Sequence, residues 1–419
     1  MQKNIAAIIL AAGKGERMKS NTPKVLHALC GRPMLDYVLD SVRDLKIKKS
    51  LVVLGHKHQA VKKLLPAGTD FVIQKKLLGT ADAVKSALPK LKSFKGTLLI
   101  LYGDIPLLKK ETLLGLLKYH IKSNADATLL VAQLDNPVGY GRILRDAYSS
   151  ICGIVEEKDA DDFQKDIKEI NTGIICFNKD RLAQALKEVK PNNRKKEFYL
   201  TDIINILYKK NCLIEGVRIS DINEALGINS RQDLAKANKI MQQRINAELM
   251  KKGVSIIDPD SAFISYGARI GQDTVIYPFT VIERNVKIGR RCFVGPFAHL
   301  REGAELKDDV VAGNFLEIVR SKIGSKTFAK HFCYIGDTSI GRMVNIGAGT
   351  VTANFDGKGK GITVIKDGAY IGSDTILVAP VKIGRNAVTG AGTVVLKNKN
   401  IPDGRVGVGV PVRLLTKKR

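Results

Sequence analysis

The chain has 419 residues, with 68 Lys and Arg against 41 Asp and Glu, for a formal net charge of +27. Hydrophobic residues make up 44%, enough to fill real cores and to exclude a disordered polyelectrolyte. At about one domain per 150 residues, the length predicts two or three domains.

The longest apolar runs, such as 5–12, reach about eight residues, whereas a membrane span needs about 18, so no membrane insertion is predicted. Lys3 ahead of an apolar stretch has the outline of a signal peptide. That stretch runs into Gly13-Lys14-Gly15-Glu16-Arg17 rather than a small-residue cleavage site, so it is predicted to be a buried strand. Segments 5–10, 50–55, 71–73 and 97–102 are predicted as buried strands, with helices over 35–45, 81–88 and 111–122 between them. Strands alternating with helices imply βαβ units and a Rossmann-like α/β domain with a mostly parallel sheet.

From 230 to 252 the pattern is one helix. Ser230 is a plausible N-cap, Leu234, Ala237, Met241, Ile245 and Leu249 recur at helical spacing, and Gly253 is a natural stop. After it a six-residue period takes over: Ile264, Ile270, Ile276, Ile282, Ile288, Val294, Leu300, Leu306, Ala312 and Ile318. It resumes with Ile365, Ile371, Leu377, Ile383, Thr389 and Val395. This spacing predicts a parallel β-helix of hexapeptide repeats, three hexads to a coil, with the aliphatic residues stacked inside. Between 318 and 365 the period stumbles. Ile318 to Ile323 and Ile335 to Ile340 are five-residue steps, and Asn354–Gly361 interrupts it outright. That stretch is either a tolerated surface insertion or a loop that builds a site on a rigid scaffold.

The six cysteines, Cys30, Cys152, Cys176, Cys212, Cys292 and Cys333, form no C-x-x-C pair. Zinc motifs are unsupported, and scattered cysteines in a long chain predict reduced thiols in a cytoplasm. The positive balance suits a solvated surface, an anionic substrate or nucleic acid. Lys and Arg are spread along the whole chain, there is no Trp, and aromatic residues are 6%, so stacking platforms for nucleic acid are scarce. A nucleic-acid-binding or structural protein is the non-enzymatic alternative, and no nucleic-acid partner is predicted.

Two constellations carry chemistry. Strand 5–10 runs into Leu10-Ala-Ala-Gly-Lys-Gly-Glu-Arg-Met18, followed by Pro23-Lys24. Glycines after a strand let backbone N–H groups approach phosphates, and Arg17 and Lys24 add charge where a pyrophosphate leaves. Met18 stands where a dinucleotide fingerprint needs its third Gly, and no P-loop pattern exists, so an ordinary strand-to-helix loop remains an alternative. Asp104, in Tyr102-Gly103-Asp104, ends a buried strand at the edge where open α/β sheets bind ligands. It can hold Mg²⁺ or cap a turn ahead of Pro106. In the second constellation, His331 falls inside the stumbling region. It is either a general base, since imidazole titrates near neutral pH, or a structural histidine.

The stretch from Leu10 to Lys24 is similar to the signature loop of sugar-nucleotide pyrophosphorylases. Gln74 with Leu78-Gly79-Thr80, Gly139-Tyr140-Gly141-Arg142, Ile154-Val155-Glu156, Glu169-Ile170-Asn171-Thr172-Gly173, Tyr199-Leu200-Thr201-Asp202 and Gly227-Ile228-Asn229 follow in order. With the hexapeptide region behind them, nearly the whole chain resembles the bacterial bifunctional N-acetylglucosamine-1-phosphate uridyltransferase / glucosamine-1-phosphate N-acetyltransferase family. The resemblance implies a nucleotidyltransferase domain over 1–229, a linker helix over 230–252, a left-handed β-helix over 253–403 and a basic tail over 404–419. It implies a cytoplasmic homotrimer that makes UDP-N-acetylglucosamine from glucosamine-1-phosphate, acetyl-CoA and UTP, through N-acetylglucosamine-1-phosphate.

Carried over by position, Leu10, Ala11, Ala12, Gly13 and Gln74 would hold the nucleotide, with Gly79 and Thr80 nearby. Arg17 and Lys24 would contact phosphates. Asp104 and Asn229 would be Mg²⁺ ligands, and Gly141, Glu156 and Asn171 would hold the sugar. In the second domain His331 would be the general base, with Arg301, Tyr334, Asn345 and Lys360 on glucosamine-1-phosphate. Ala348, Asn354, Ser373 and Ala391 would lie near acetyl-CoA, the N–H near Ala348 receiving the oxyanion. Three positions depart from the family pattern. Val319 replaces a Lys, Phe355 replaces a Tyr, and no Arg precedes Val410-Pro411. These departures leave open a β-helix that serves mainly as a trimerisation scaffold or that acts on another acceptor.

Overall fold

The computed structural model describes residues 4–415. They form two compact units, one reaching to Asn238 apart from residues 30–32, the other beginning at Lys239 and including 30–32.

The first unit is a sheet covered on both faces. Its elements are β1 (Ile5–Ala11), α1 (Met34–Asp44), β2 (Lys49–Leu54), α2 (His58–Leu64), β3 (Phe71–Ile73), α3 (Thr80–Ala87), β4 (Thr97–Tyr102) and α4 (Lys110–Ser123). There follow β5 (Ala127–Gln133), β6 (Gly141–Arg145), β7 (Ile151–Val155), α5 (Asp162–Lys165), β8 (Glu169–Asn178), α6 (Lys179–Ala185), α7 (Asp202–Lys209) and β9 (Ile214–Arg218). The order is β9-β5-β8-β4-β1-β2-β3, with the β6–β7 hairpin attached to β8. β1 lies parallel to both β2 and β4, Ile8 facing Leu51 on one side and Ile100 on the other. Only β8 on this path runs antiparallel to its neighbours β4 and β5.

All seven residues of β1 are buried. A central parallel strand packs on both faces, which is why its sequence is a continuous apolar run rather than an alternating one. Ala6, Ile8 and Leu10 join one core, Ile5, Ala7, Ile9 and Ala11 the other. The predicted strands and helices of this domain lie within one or two residues of the observed ones.

α8 (Arg231–Lys251) begins at a reciprocal cap: Asp233 N donates to Ser230 Oγ (3.1 Å), and Ser230 N donates to Asp233 Oδ2 (2.8 Å). The expected plain linker differs in one respect. The division between units falls inside this helix, and its later turns close the start of the β-helix. Asn246, fully buried, donates to Pro259 O (2.8 Å) and Ala262 O (3.2 Å), and Gln242 donates to Ile264 O (3.2 Å).

In the second unit, strands of two to four residues stack into three sheets of ten, eight and seven strands. The six-residue positions point inward. Ile264, Ile276, Ile282, Val294 and Leu300 are fully buried, and one core runs through the stack. Along the first sheet Val275 pairs with Phe293 and Phe293 with Val311, 18 residues to a coil. Val311 to Phe328 and Phe328 to Asn345 are 17, and Asn345 to Tyr370 is 25. The stumbles are therefore two tightened coils and one that extrudes the 354–361 loop. Val406–Val408 continues the first sheet, pairing with Val388, and Arg413–Leu414 folds back antiparallel upon it. The expected tail from 404 thus begins as a further turn of the β-helix; its residues 416–419 lie outside the described residues. None of the six cysteines forms a disulfide.

Candidate functional site

β1 ends in a turn pinned from both sides: Ala12 O accepts from His56 N (3.0 Å), and Leu10 O from Gly103 N (2.9 Å). Ala11 and Ala12 are buried; Gly13 and Arg17 are exposed. Gln74, 5% exposed, donates through Nε2 to Gly79 O (3.0 Å) and Asp82 Oδ2 (2.8 Å). Its remaining polar atom, the acceptor Oε1, is what it can offer a ligand. Thr80 Oγ1 accepts from Leu200 N at 2.9 Å. This fastens the 74–80 loop to the segment before α7.

At the end of β4, Asp104 O accepts from Ile228 N (2.9 Å), which brings Asn229 alongside. Asn229 N in turn donates to Asp233 Oδ2 (3.0 Å), so the cap of α8 fixes its backbone. Lys24 Nζ contacts Asp104 Oδ2 and, at 3.0 Å, Asn229 Oδ1. Gly15 makes this approach possible. It sits at φ 66°, and a Cβ there would come within 2.7 Å of Lys24 Cβ.

The sugar-side candidates meet on β6, β7 and β8. Gly141 pairs directly with Asn171, and a Cβ on Gly141 would lie 3.6 Å from Glu156 Oε2. Asn171 Oδ1 accepts from Gly173 N (3.0 Å). Burial raises the Glu156 carboxyl above its ordinary range, while the hydroxyl of Thr201, donating at 3.0 Å, works the other way. Asp202 is pushed up to about 6, first by burial and then by the charges of Glu156 and Asp159.

In the second unit the candidates divide between an edge and two faces. His331 lies on a corner where Phe332 O accepts from Gly349 N (2.8 Å), Ala348 O from Asp374 N (2.7 Å) and Ser373 O from Gly392 N (2.8 Å). His331, Ala348, Ser373 and Ala391 therefore follow one another up a single edge. Tyr334 stands on the adjoining face, paired with Glu317, whose carboxylate accepts from Arg301 (2.8 Å). Asn345 belongs to a different sheet, between Phe328 and Tyr370. Within one chain it does not join Tyr334. Lys360 pairs with Phe355 across the extruded loop, which closes through Gly361 N to Asn354 O (2.7 Å).

The hexapeptide description of bacterial transferases, six repeats, matches residues 267–311 and 362–397, and the MobA-like NTP transferase domain matches 7–167. Bifunctional protein GlmU of Thermosipho africanus is 45% identical over 96% of this chain and 94% of its own length. Bifunctional protein GlmU of a Geobacillus species is 42% identical, with the same 96% and 94% coverage. The chain belongs to the GlmU family. As a member of that family it is a bifunctional transferase that makes UDP-N-acetylglucosamine by uridyl transfer and acetyl transfer. The gap in the hexapeptide match spans the irregular coils that carry His331, Tyr334 and Asn354.

Two side-chain pairings at these sites go beyond what the motifs themselves give. Arg142, 1% exposed, is ion-paired with Glu157 at 2.8 Å behind Gly141. Asp337 is gripped by Arg320 through both oxygens (2.6 and 2.8 Å) and accepts from Asn354 Nδ2. Between them Gly336 leaves no room, since a Cβ would meet Tyr334 Oη at 2.6 Å and Asn354 Nδ2 at 2.7 Å. Val319 is buried, 2% exposed. The neighbouring Arg320 guanidinium is committed to Asp337. The signal for the Asp337 contacts was the five-residue step, which sets Arg320, Asp337 and Asn354 of successive coils 17 residues apart.

Proposed function

We propose that the first domain joins UTP to N-acetylglucosamine-1-phosphate at Asp104 and Asn229 with Mg²⁺, and that the second acetylates glucosamine-1-phosphate around His331. The observation that carries the first half is the convergence of the Asp104 and Asn229 oxygens on one cationic centre, the Lys24 ammonium. Two hard oxygen donors meeting on a cation fit Mg²⁺. Among the described residues no cluster of three or more His, Cys, Asp or Glu forms. Phosphate and water would complete the shell, as Mg²⁺ prefers. Bound there, the ion would neutralise charge building on the phosphates during displacement.

The chain's own residues do the positioning. Gln74 Oε1 accepts from the uracil imide. Glu156 and Asn171 fix the sugar so that its phosphate oxygen faces the α-phosphorus in line. As that oxygen bonds to phosphorus, the bond to the β-phosphate breaks and pyrophosphate leaves, its charge met by Arg17 and Lys24. A phosphate monoester is already an anion, so no side-chain base is required. In the second domain His331 removes a proton as the 2-amine attacks the thioester carbonyl, and the electron pair leaves on the coenzyme A sulfur. Tyr334 and Arg301 orient the acceptor, and the N–H near Ala348 receives the oxyanion.

Self-association as a trimer is supported by apolar surface on the β-helix. Phe279, Phe297 and Phe315, 54%, 46% and 61% exposed, stack at 5.0 and 4.9 Å. Phe293, Val311, Phe328 and Met343 line a concavity of about 670 Å³ on one face. Large exposed apolar strips mark interfaces. Asn345, on a different face from Tyr334, would reach the acetyl site from a neighbouring copy. No helix among the described residues is long and apolar enough to cross a membrane.

The test is a two-reaction assay on purified protein. Pyrophosphate release from UTP and N-acetylglucosamine-1-phosphate should need Mg²⁺, and free thiol release from acetyl-CoA and glucosamine-1-phosphate should not. Loss of both activities upon chelation, or of neither, overturns the division between sites.

A further inference from the structure

We propose that Lys24 is a tethered counter-ion that holds the metal position of the nucleotide-free enzyme, so that a divalent cation enters only as Lys24 leaves. The inference rests on the assignment of Asp104 and Asn229 as metal ligands. Lys24 Nζ contacts both of their oxygens, and its side chain and that of Asp104 are 14% and 15% exposed. The ammonium thus satisfies, out of bulk water, the carboxylate that would otherwise lie there unpaired.

The backbone of Lys24 is held by a turn, and its ammonium by the Asp104 and Asn229 oxygens. Leu26 N donates to Pro23 O (2.9 Å) and His27 N to Lys24 O (3.2 Å), closing a short turn. Gly15 packs against Lys24 Cβ. Beyond Cβ the stem has rotatable bonds that allow the ammonium to turn away once those two oxygens are engaged elsewhere. An ammonium and a divalent ion cannot share the same two oxygens, because like charges a few ångströms apart repel strongly in a partly dry site.

A triphosphate resolves the conflict. It offers the displaced ammonium a new anionic partner and brings further oxygens for the metal. Metal and nucleotide therefore bind with positive coupling, and the metal alone binds weakly. Coupling is reciprocal, so what Lys24 withholds from the free metal it returns when both ligands are present. The same residue guards the site when empty and meets phosphate when it is filled.

The test is Mn²⁺ binding to the full chain without nucleotide, followed by electron paramagnetic resonance of the free ion. Lys24→Met should bind Mn²⁺ about tenfold more tightly than the wild type, within the ordinary range of site-to-site coupling. Lys24→Gln serves as a second variant should the first not fold, and thermal melts establish that each is native. Adding UTP should erase the advantage or reverse it. Folded variants that bind Mn²⁺ no better than the wild type overturn the proposal. The double variant Lys24→Met, Asp104→Asn separates the two layers of the argument. If it loses Mn²⁺ while Lys24→Met alone gains nothing, the metal site stands and the counter-ion role fails. If it keeps Mn²⁺ undiminished, the metal site itself is elsewhere and both fail.

Discussion

The two sites are assembled by different means. Around Asp104, the pieces come from distant parts of one chain, and hydrogen bonds donated by backbone N–H groups fasten each to the next: Ile228 to Asp104 O, Asn229 to the Asp233 side chain in the cap of α8, and Leu200 to the Thr80 hydroxyl of the 74–80 loop. Around His331, the pieces come from a rigid stack that fixes each residue's height and face but lets no side chain from another face approach. Tyr334 and Asn345 stand on different sheets. A sheet with loops at one edge can gather a site by itself. A prism gathers only what one edge and one face present, so association of copies is a natural way to complete it.

Disabling either site should leave the other working. Asp104→Ala should lower pyrophosphate release about 10³-fold or more, the scale of losing a preorganised charge partner, with acetyl transfer unchanged. His331→Ala should lower acetyl transfer about 10²- to 10³-fold through loss of the base, with uridyl transfer unchanged. Coupled losses in either variant would mean that the two sites are not separable.

The claim that copies complete the second site can be tested by mixing. His331→Ala and Asn345→Ala chains, each inactive in acetyl transfer alone, should regain activity when co-expressed. With random assembly, roughly a quarter of inter-chain sites would pair an intact His331 with an intact Asn345. If both residues served one site from the same chain, every site would carry one defect and mixing would restore nothing.

How far the sequence foretells these arrangements depends on what its patterns measure. The hexad period reports inward aliphatic residues, so the stack from Ile264 to Ile318 was legible residue by residue. The apolar run of β1 announced a strand buried on both faces. Apolar spacing says nothing of polar side chains that bury themselves by pairing with backbone. Gln242 and Asn246 look like the solvated face of a linker and instead close the β-helix. The Lys24 contact to Asp104 and Asn229 joins residues 80 and 205 positions apart, which no local motif encodes. Motif order named those three residues but not their junction.

Asp337 illustrates the same limit and yields a smaller prediction. Its carboxylate accepts from Asn354 Nδ2, which sets the orientation of the Asn354 amide and leaves the amide's carbonyl oxygen for another partner. Asp337→Asn keeps the shape but lets the amide flip and loosens Arg320. Acetyl transfer should fall about tenfold, the scale of a lost charge-assisted hydrogen bond. The loss should lie in KM for acetyl-CoA, the substrate assigned to Asn354, and not in KM for glucosamine-1-phosphate. An equal rise in both would make Asp337 a structural residue only.

The smallest effect concerns Asp202, beside Glu156 in the first domain. Its carboxyl sits at about 6 because burial and the neighbouring carboxylates disfavour its charge. A carboxyl raised in the fold binds its proton more tightly there than in the unfolded chain. The folded state then holds more protons between the unfolded value and about 6. Stability contributed by that proton is present at the acid end and is lost as pH rises through this window. Asp202→Asn removes the loss, so its stability advantage over the wild type should be near zero at about pH 4 and grow to about 1 kcal/mol by pH 7, after allowance for solvent around a partly exposed group. In melting curves of the first domain this is about 2 °C. A difference that does not change with pH would show that Asp202 is already charged without cost, and that solvent around Glu156 screens the cluster.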